Sequence, residues 1–132
     1  MEKIKVLVFG LPGSGKTTFA KKLCKDLDVA YFNADQIRTI YNDWDFSNLG
    51  RITQANRMVG LINLTRKNCV VDFVCPYDTF RDFYNITVWM NTIESGKYKD
   101  TNQIFERPSK PHYIISDYSY DKIVGEIRDR LE

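Results

Sequence analysis

Histidine is nearly absent from this chain: His112 is the only one in 132 residues. That excludes a metal site built on a histidine pair and any relay of two histidines. Cysteine is scarce too. Cys24, Cys69 and Cys75 are an odd count with no CxxC spacing, so reduced thiols and a cytoplasmic location are expected, with at least two of the three in apolar core stretches. Burial, rather than redox chemistry, is the ordinary fate of such thiols. No stretch approaches the ~18 apolar residues that a membrane span requires. The run from Met1 to Gly10 leads straight into a glycine loop, which is not the pattern of a secretory signal. Repeats and low-complexity tracts are missing. So is any large charge excess: 19 Lys+Arg stand against 17 Asp+Glu, a net +2. That balance does not single out a nucleic-acid binder.

What is present describes one globular domain over residues 1–132. At this size about two-thirds of the chain's surface can be buried without staples. Apolar residues make up 43%, charged residues 27% and aromatics 14%, enough rings to fill a core and leave some for a pocket. Apolar runs predict strands at Lys3–Phe9, Val29–Phe32, Cys69–Val74, Ile86–Met90 and Tyr113–Ser116. Helical spacing of apolar residues predicts helices at Lys16–Leu27, Asp35–Tyr41 and Arg51–Lys67, the last with Ile52, Ala55, Val59 and Ile62 on one face. A short helix is expected at Thr79–Tyr84 and a final one carrying Ile123, Val124, Ile127 and Leu131. Asn91–Lys110 reads as polar and loop-like, closed by Pro108 and Pro111. Strands alternating with helices predict an α/β fold with a parallel sheet covered on both faces. Ligands of such sheets gather at the carboxyl ends of the strands.

The strongest local signal lies just after the first strand. Gly10-Leu11-Pro12-Gly13-Ser14-Gly15-Lys16-Thr17 fits GxxxxGK[ST] at every fixed position. Glycines at Gly10, Gly13 and Gly15 let backbone N–H groups of the loop, through Ser14 and on to Thr18, converge on phosphate oxygens. Lys16 is placed to reach the terminal phosphates of ATP, and Thr17 to hold Mg²⁺. The following helix adds its positive N-terminal dipole.

Two further groups sit after strands two and three. Asp35 and Arg38 are three apart and share a helix face. A carboxylate that takes the proton of an acceptor hydroxyl, beside an arginine for the acceptor's anionic group, suits phosphoryl transfer. The bland alternative is a helix cap with an exposed ion pair, and either Asn33 or Asp35 could be the cap. Asp72 ends an apolar run where a Mg²⁺-side aspartate belongs, and equally where a structural aspartate bonds to backbone. The polar segment 91–110, with Gly96, is expected to form a mobile lid. Lys97 and Lys99 are its candidates for contacting the transferred phosphate, unless they are simply solvated.

In order along the chain, GLPGSGKTT, Asn33-Ala34-Asp35-Gln36-Ile37-Arg38, Asp45-Phe46-Ser47, Phe73-Val74-Cys75-Pro76-Tyr77 and Phe105-Glu106-Arg107-Pro108 resemble segments of adenylyl-sulfate kinase (APS kinase). The resemblance implies a three-layer P-loop NTPase/kinase fold with a five-stranded parallel sheet and a shortened lid. It also implies transfer of the γ-phosphate of ATP, with Mg²⁺, to the 3′-hydroxyl of adenylyl sulfate. By the same resemblance Asp35 and Arg38 join Lys16 as catalytic residues, and Phe46 stacks on the acceptor's adenine. Arg51, Asn56 and Pro76 complete the acceptor side. The chain departs from the family where Asn33 replaces an aspartate and Ala34 a glycine. Arg51 and Asn56 are also five apart instead of three.

Three readings remain open at this point: a kinase acting on small-molecule nucleotides, a polynucleotide 5′-hydroxyl kinase with nucleic acid as acceptor, and a nucleotide-binding module without an acceptor. The last would call for an NKxD base-reading segment, and Asn91-Thr92 after strand four is not one. No membrane partner is expected, and a homodimer is left open.

Overall fold

The computed structural model describes residues 2–132; Met1, at the start of the first predicted run, lies outside the described residues. The sheet is built from β1 (Lys5–Phe9), β2 (Ala30–Asn33), β3 (Cys69–Asp72), β4 (Ile86–Met90) and β5 (Tyr113–Ile115). Its order is β2-β3-β1-β4-β5, and every pairing is parallel. Around it lie α1 (Lys16–Cys24), α2 (Ala34–Tyr41), α3 (Asn48–Leu64), α4 (Asp78–Arg81), α5 (Lys99–Ile104) and α6 (Asp121–Leu131).

Strand side chains alternate between faces, and this splits the core in two. Val6, Val8, Val70, Ile86 and Val88 pack with Phe19 and Leu23 of α1 and with Ile127 and Leu131 of α6. Leu7, Phe9, Cys69 and Val71 point the other way and pack with Ala55, Met58 and Ile62 of α3. The two clusters are the interiors of a three-layer α/β sandwich. β1 beyond Lys5, β3 and β4 are buried, whereas β2 at one edge is only partly covered.

Several boundaries differ from the sequence reading, each for a local reason. α1 stops at Cys24 because Lys25 turns out of the helix with ψ 123°, and Asp26 after it takes a left-handed φ of 62°. α3 begins three residues before Arg51, where the Ser47 hydroxyl accepts the Gly50 N–H at 3.1 Å. Gly50 is required there: a Cβ would lie 2.2 Å from the Asp45 carbonyl oxygen. The buried face of α3 is Arg51, Gln54, Ala55, Met58 and Ile62. Ile52 is exposed and Val59 only partly covered. The segment 91–110 is not wholly loop, since Lys99–Ile104 forms α5.

Candidate functional site

A cavity of about 740 Å³ opens at the carboxyl ends of β1, β2 and β3. Its floor is the loop after β1. Gly15 caps α1 with φ 93°, a conformation that favours glycine, and a Cβ there would press on the Tyr118 ring at 3.3 Å. Gly10 runs against β4, where a Cβ would come 2.7 Å from the Met90 carbonyl oxygen. The Thr92 hydroxyl donates to the Ser14 carbonyl at 2.7 Å and ties the loop to the end of β4. Ser14 itself faces inward: its hydroxyl is buried and has no hydrogen-bond partner among the described residues. Gly13, Gly15, Lys16, Thr17 and Thr18 line the cavity, while Gly10 and Ser14 support it from behind. Lys16 Nζ donates to the Leu11 carbonyl at 3.1 Å. Burial holds its pKa below the ordinary lysine value, against the opposing pull of Asp72 and Asp35.

Beside the loop, three donors converge on one oxygen of Asp72. Thr17 Oγ1 donates to Asp72 Oδ2 at 2.6 Å, the Tyr31 phenol at 2.9 Å and Asn33 Nδ2 at 2.9 Å. The topology explains the meeting. Asn33 is paired with Asp72 in register across β2 and β3, and Tyr31, two residues back, shares its face. Asp72 is buried, and burial pushes the Tyr31 phenol up to about 12, so it stays a donor. Asp72 Oδ1 accepts no hydrogen bond among the described residues. One hydroxyl and one carboxylate with an open oxygen, next to a phosphate-binding loop, fit Mg²⁺, which is commonly held by one or two carboxylates plus substrate phosphates. Of the two sequence readings of Asp72, the backbone-bonded one does not describe these contacts, which are all to side chains.

The second wall is α2 and the segment behind it. Asn33 is the helix cap: its Oδ1 accepts the Gln36 N–H at 2.9 Å. Asp35 is therefore spared that duty. Its exposed carboxylate lines the cavity and has no hydrogen bond or ion pair among the described residues. Arg38 is buried and makes no ion pair with Asp35 among the described residues. It donates to the carbonyls of Asp43 and Asp45 at 3.0 and 3.2 Å. Burial lowers its pKa from the usual arginine value, with Asp43 pulling the other way. The Arg38 guanidinium carbon lies 4.4 Å from the Phe46 ring centre, and that of Arg51 lies 5.4 Å from it. Trp44, Phe46, Tyr98, Arg38 and Arg51 line this half of the cavity.

Pro76 also lines the cavity. Cys75 before it adopts a left-handed φ of 45°, and buried Arg81 binds the carbonyls of both residues, at 3.0 and 3.1 Å. Burial raises the Cys75 thiol to about 12 and those of Cys24 and Cys69 to about 11, so none of the three is a ready nucleophile. Asn56 lies outside the site. Five residues from Arg51 is about 140° around the helix, and Asn56 is exposed there. Gln54, three residues on, is the buried one, and its Nε2 donates to the Ala34 carbonyl at 2.9 Å.

The 91–110 segment is fastened to the site. The Gly96 N–H donates to Asn102 Oδ1, and Asn102 Nδ2 returns a bond to the Gly96 carbonyl, both at 2.8 Å. Arg51 Nη2 reaches Asp100 at 3.1 Å and Thr101 at 3.4 Å. The Glu106 N–H donates to the Pro76 carbonyl at 2.9 Å. Tyr98, Asp100 and Thr101 line the cavity; Lys97 and Lys99 do not. Lys97 Nζ instead sits 5.1 Å above the Tyr98 ring.

Tyr31, Trp44, Tyr98, Asp100 and Thr101 escape a motif-based reading. Only Tyr31 left a signal, its period-two spacing from Asn33. Among the described residues, no group of three or more His, Cys, Asp and Glu side chains is placed to hold a metal. No described helix is long and apolar enough to cross a membrane.

The sequence profile described as ATPase family associated with various cellular activities (AAA) matches residues 6–72, half of the chain. No curated protein matches it in sequence. Several solved structures are similar. One is APS kinase CysC of Mycobacterium tuberculosis in complex with AMPPNP and APS, at 20% identity over 97% of this chain and 96% of that one, with a TM-score of 0.75. A shikimate kinase from Aquifex aeolicus has 15% identity over 97% and 96%, with a TM-score of 0.67. A gluconokinase from Sinorhizobium meliloti has 15% identity over 97% and 91%, with a TM-score of 0.65. At these identities the likeness is one of fold.

Proposed function

The chain belongs to the ATPase family associated with various cellular activities, and from that premise we propose that it is a kinase, moving the γ-phosphate of ATP to a hydroxyl of a small nucleotide-like acceptor. The 3′-hydroxyl of adenylyl sulfate is the acceptor that fits best. The observation carrying this reading is the unengaged carboxylate of Asp35, which shares one cavity with Lys16 of the phosphate loop and with Arg38. An enzyme that only hydrolysed ATP would have no need of an acceptor wall of two arginines and three aromatic rings.

Lys16 and the loop N–H groups bind the phosphates. Thr17 and Asp72 would hold Mg²⁺, which when bound neutralises charge on the transferring group. Asp35 accepts the proton of the attacking hydroxyl as the new O–P bond forms and the bond to the ADP oxygen breaks. Arg38 and Arg51 hold the acceptor's anionic group, with Trp44 and Tyr98 available to a planar base. A second acceptor class, the 5′-hydroxyl end of a polynucleotide, is favoured by one feature: Trp44 and Tyr98 are half exposed, at 51% and 50%, as stacking platforms for single strands often are.

A panel of acceptors with γ-labelled ATP tests the reading. Label should move to adenylyl sulfate in preference to nucleosides and 5′-hydroxyl oligonucleotides. Preference for the oligonucleotides would establish the second class instead. Transfer to none of them would remove the kinase reading.

A further inference from the structure

Arg51 is buried and fixed, whereas its ionic partner is neither. The Arg51 side chain is 8% exposed and that of Asp100 is 70% exposed. Arg51 Nε is anchored to the Phe46 carbonyl at 2.7 Å, and Nη2 bonds Asp100 Oδ2 at 3.1 Å. Nη1 makes no hydrogen bond among the described residues. All three residues Arg51, Asp100 and Thr101 face the same cavity.

The two ends of this pair behave differently when an anion enters. Asp100 can swing into water at little cost, because its carboxylate is already mostly solvated and exposed ion pairs contribute little. Arg51 cannot leave without breaking its bond to the Phe46 carbonyl, and its own side chain is nearly fully buried. Helix α5 does not depend on Asp100 to stay in place. Asn102 is clasped to Gly96, Phe105 stacks on Phe9 at 6.3 Å, and the buried Thr101 keeps its own contact with Arg51.

From this asymmetry we infer that Asp100 is a built-in competitor for the acceptor's anionic group. It occupies Arg51 in the free protein, and the acceptor's sulfate or phosphate exchanges with it on binding. Asp100 then holds down the affinity for charged acceptors, which must displace it. A neutral acceptor leaves the Arg51–Asp100 pair in place and gains nothing from Arg51. A charged one displaces the carboxylate and receives a two-pronged guanidinium contact. The inference rests on the kinase reading above, because it needs an acceptor in this half of the cavity.

Calorimetry with Asp100→Asn separates the outcomes, using adenosine 5′-monophosphate and adenosine as probes and ATP as a control for the phosphate loop. Removing the charge while keeping the shape should tighten adenosine 5′-monophosphate binding roughly two- to fivefold at low salt, the scale of a partly exposed ion pair. Adenosine should change much less, and the gain for the monophosphate should shrink in high salt. Equal affinities of the variant and the native protein for the monophosphate would overturn the competitor role and leave the kinase reading standing. Weaker binding of both probes would make Asp100 a direct acceptor contact, which also overturns it. If neither probe binds either protein while ATP does, the nucleotide-acceptor reading fails together with this inference.

Discussion

Asp35 and Lys16 carry the account at the scale of single residues. Because Asn33 caps α2, the Asp35 carboxylate is left without a hydrogen bond or ion pair among the described residues. Asp35→Asn should therefore leave folding and ATP affinity nearly unchanged and lower kcat by about 10²–10⁴, the usual range for general-base help. A near-normal kcat would remove Asp35 from the chemistry. Lys16 makes a different prediction. Its folded pKa lies below its unfolded one because it is buried, so the folded state binds its proton less well. Its charge then costs stability at neutral pH, and that cost is relieved as pH rises through the lowered value toward 10.5. Lys16→Met should abolish ATP binding yet raise the melting temperature of the nucleotide-free protein, and flatten the alkaline gain in stability. Scanning fluorimetry at pH 7 and pH 10 checks both; a lower melting temperature at neutral pH would contradict it. The positions of Lys16, Thr17 and Asp35 were legible because spacing after a strand places them. The partners of Arg38 were not. Its guanidinium goes to carbonyls of Asp43 and Asp45, and backbone acceptors leave no mark in residue identity.

At the scale of elements, the buried strands were readable because Val6–Phe9, Val70–Val71 and Ile86–Met90 are apolar on both faces, as a covered parallel sheet demands. α5 was unreadable for the opposite reason. Lys99–Ile104 has no amphipathic stripe, and its order comes from contacts distant in sequence: Arg51 to Asp100 and Thr101, and Asn102 folded back on Gly96. The expected lid is thus seen as a strap pinned to the site, with its lysines outside the cavity. Asn102→Ala removes both bonds of the clasp. Amide exchange over 96–104 should quicken several-fold while the β1 and β3 amides keep their protection, and the binding of ATP with the acceptor should slow it again. Unchanged exchange in the variant would mean the clasp does not hold the strap.

At the scale of the whole molecule, the strand order β2-β3-β1-β4-β5 does the assembling. It sets β3 between β1 and β2, so Asp72 lies beside Val8 on one side and Asn33 on the other. The loops after β1, β2 and β3 then open into one cavity. His112, the only imidazole, bonds Thr87 at the opposite, amino-terminal edge of the sheet through Nδ1 at 3.0 Å, so proton transfer at the cavity falls to carboxylates. With this layout the γ-phosphate should go to a bound hydroxyl in preference to water. The measurement that meets it most directly is the distribution of γ-labelled phosphate after turnover with and without adenylyl sulfate. Label is expected on the acceptor's 3′-oxygen, and release of inorganic phosphate should stay slow whether or not the acceptor is present. Rapid release of inorganic phosphate, independent of any acceptor, would contradict it and leave an ATPase in place of a kinase.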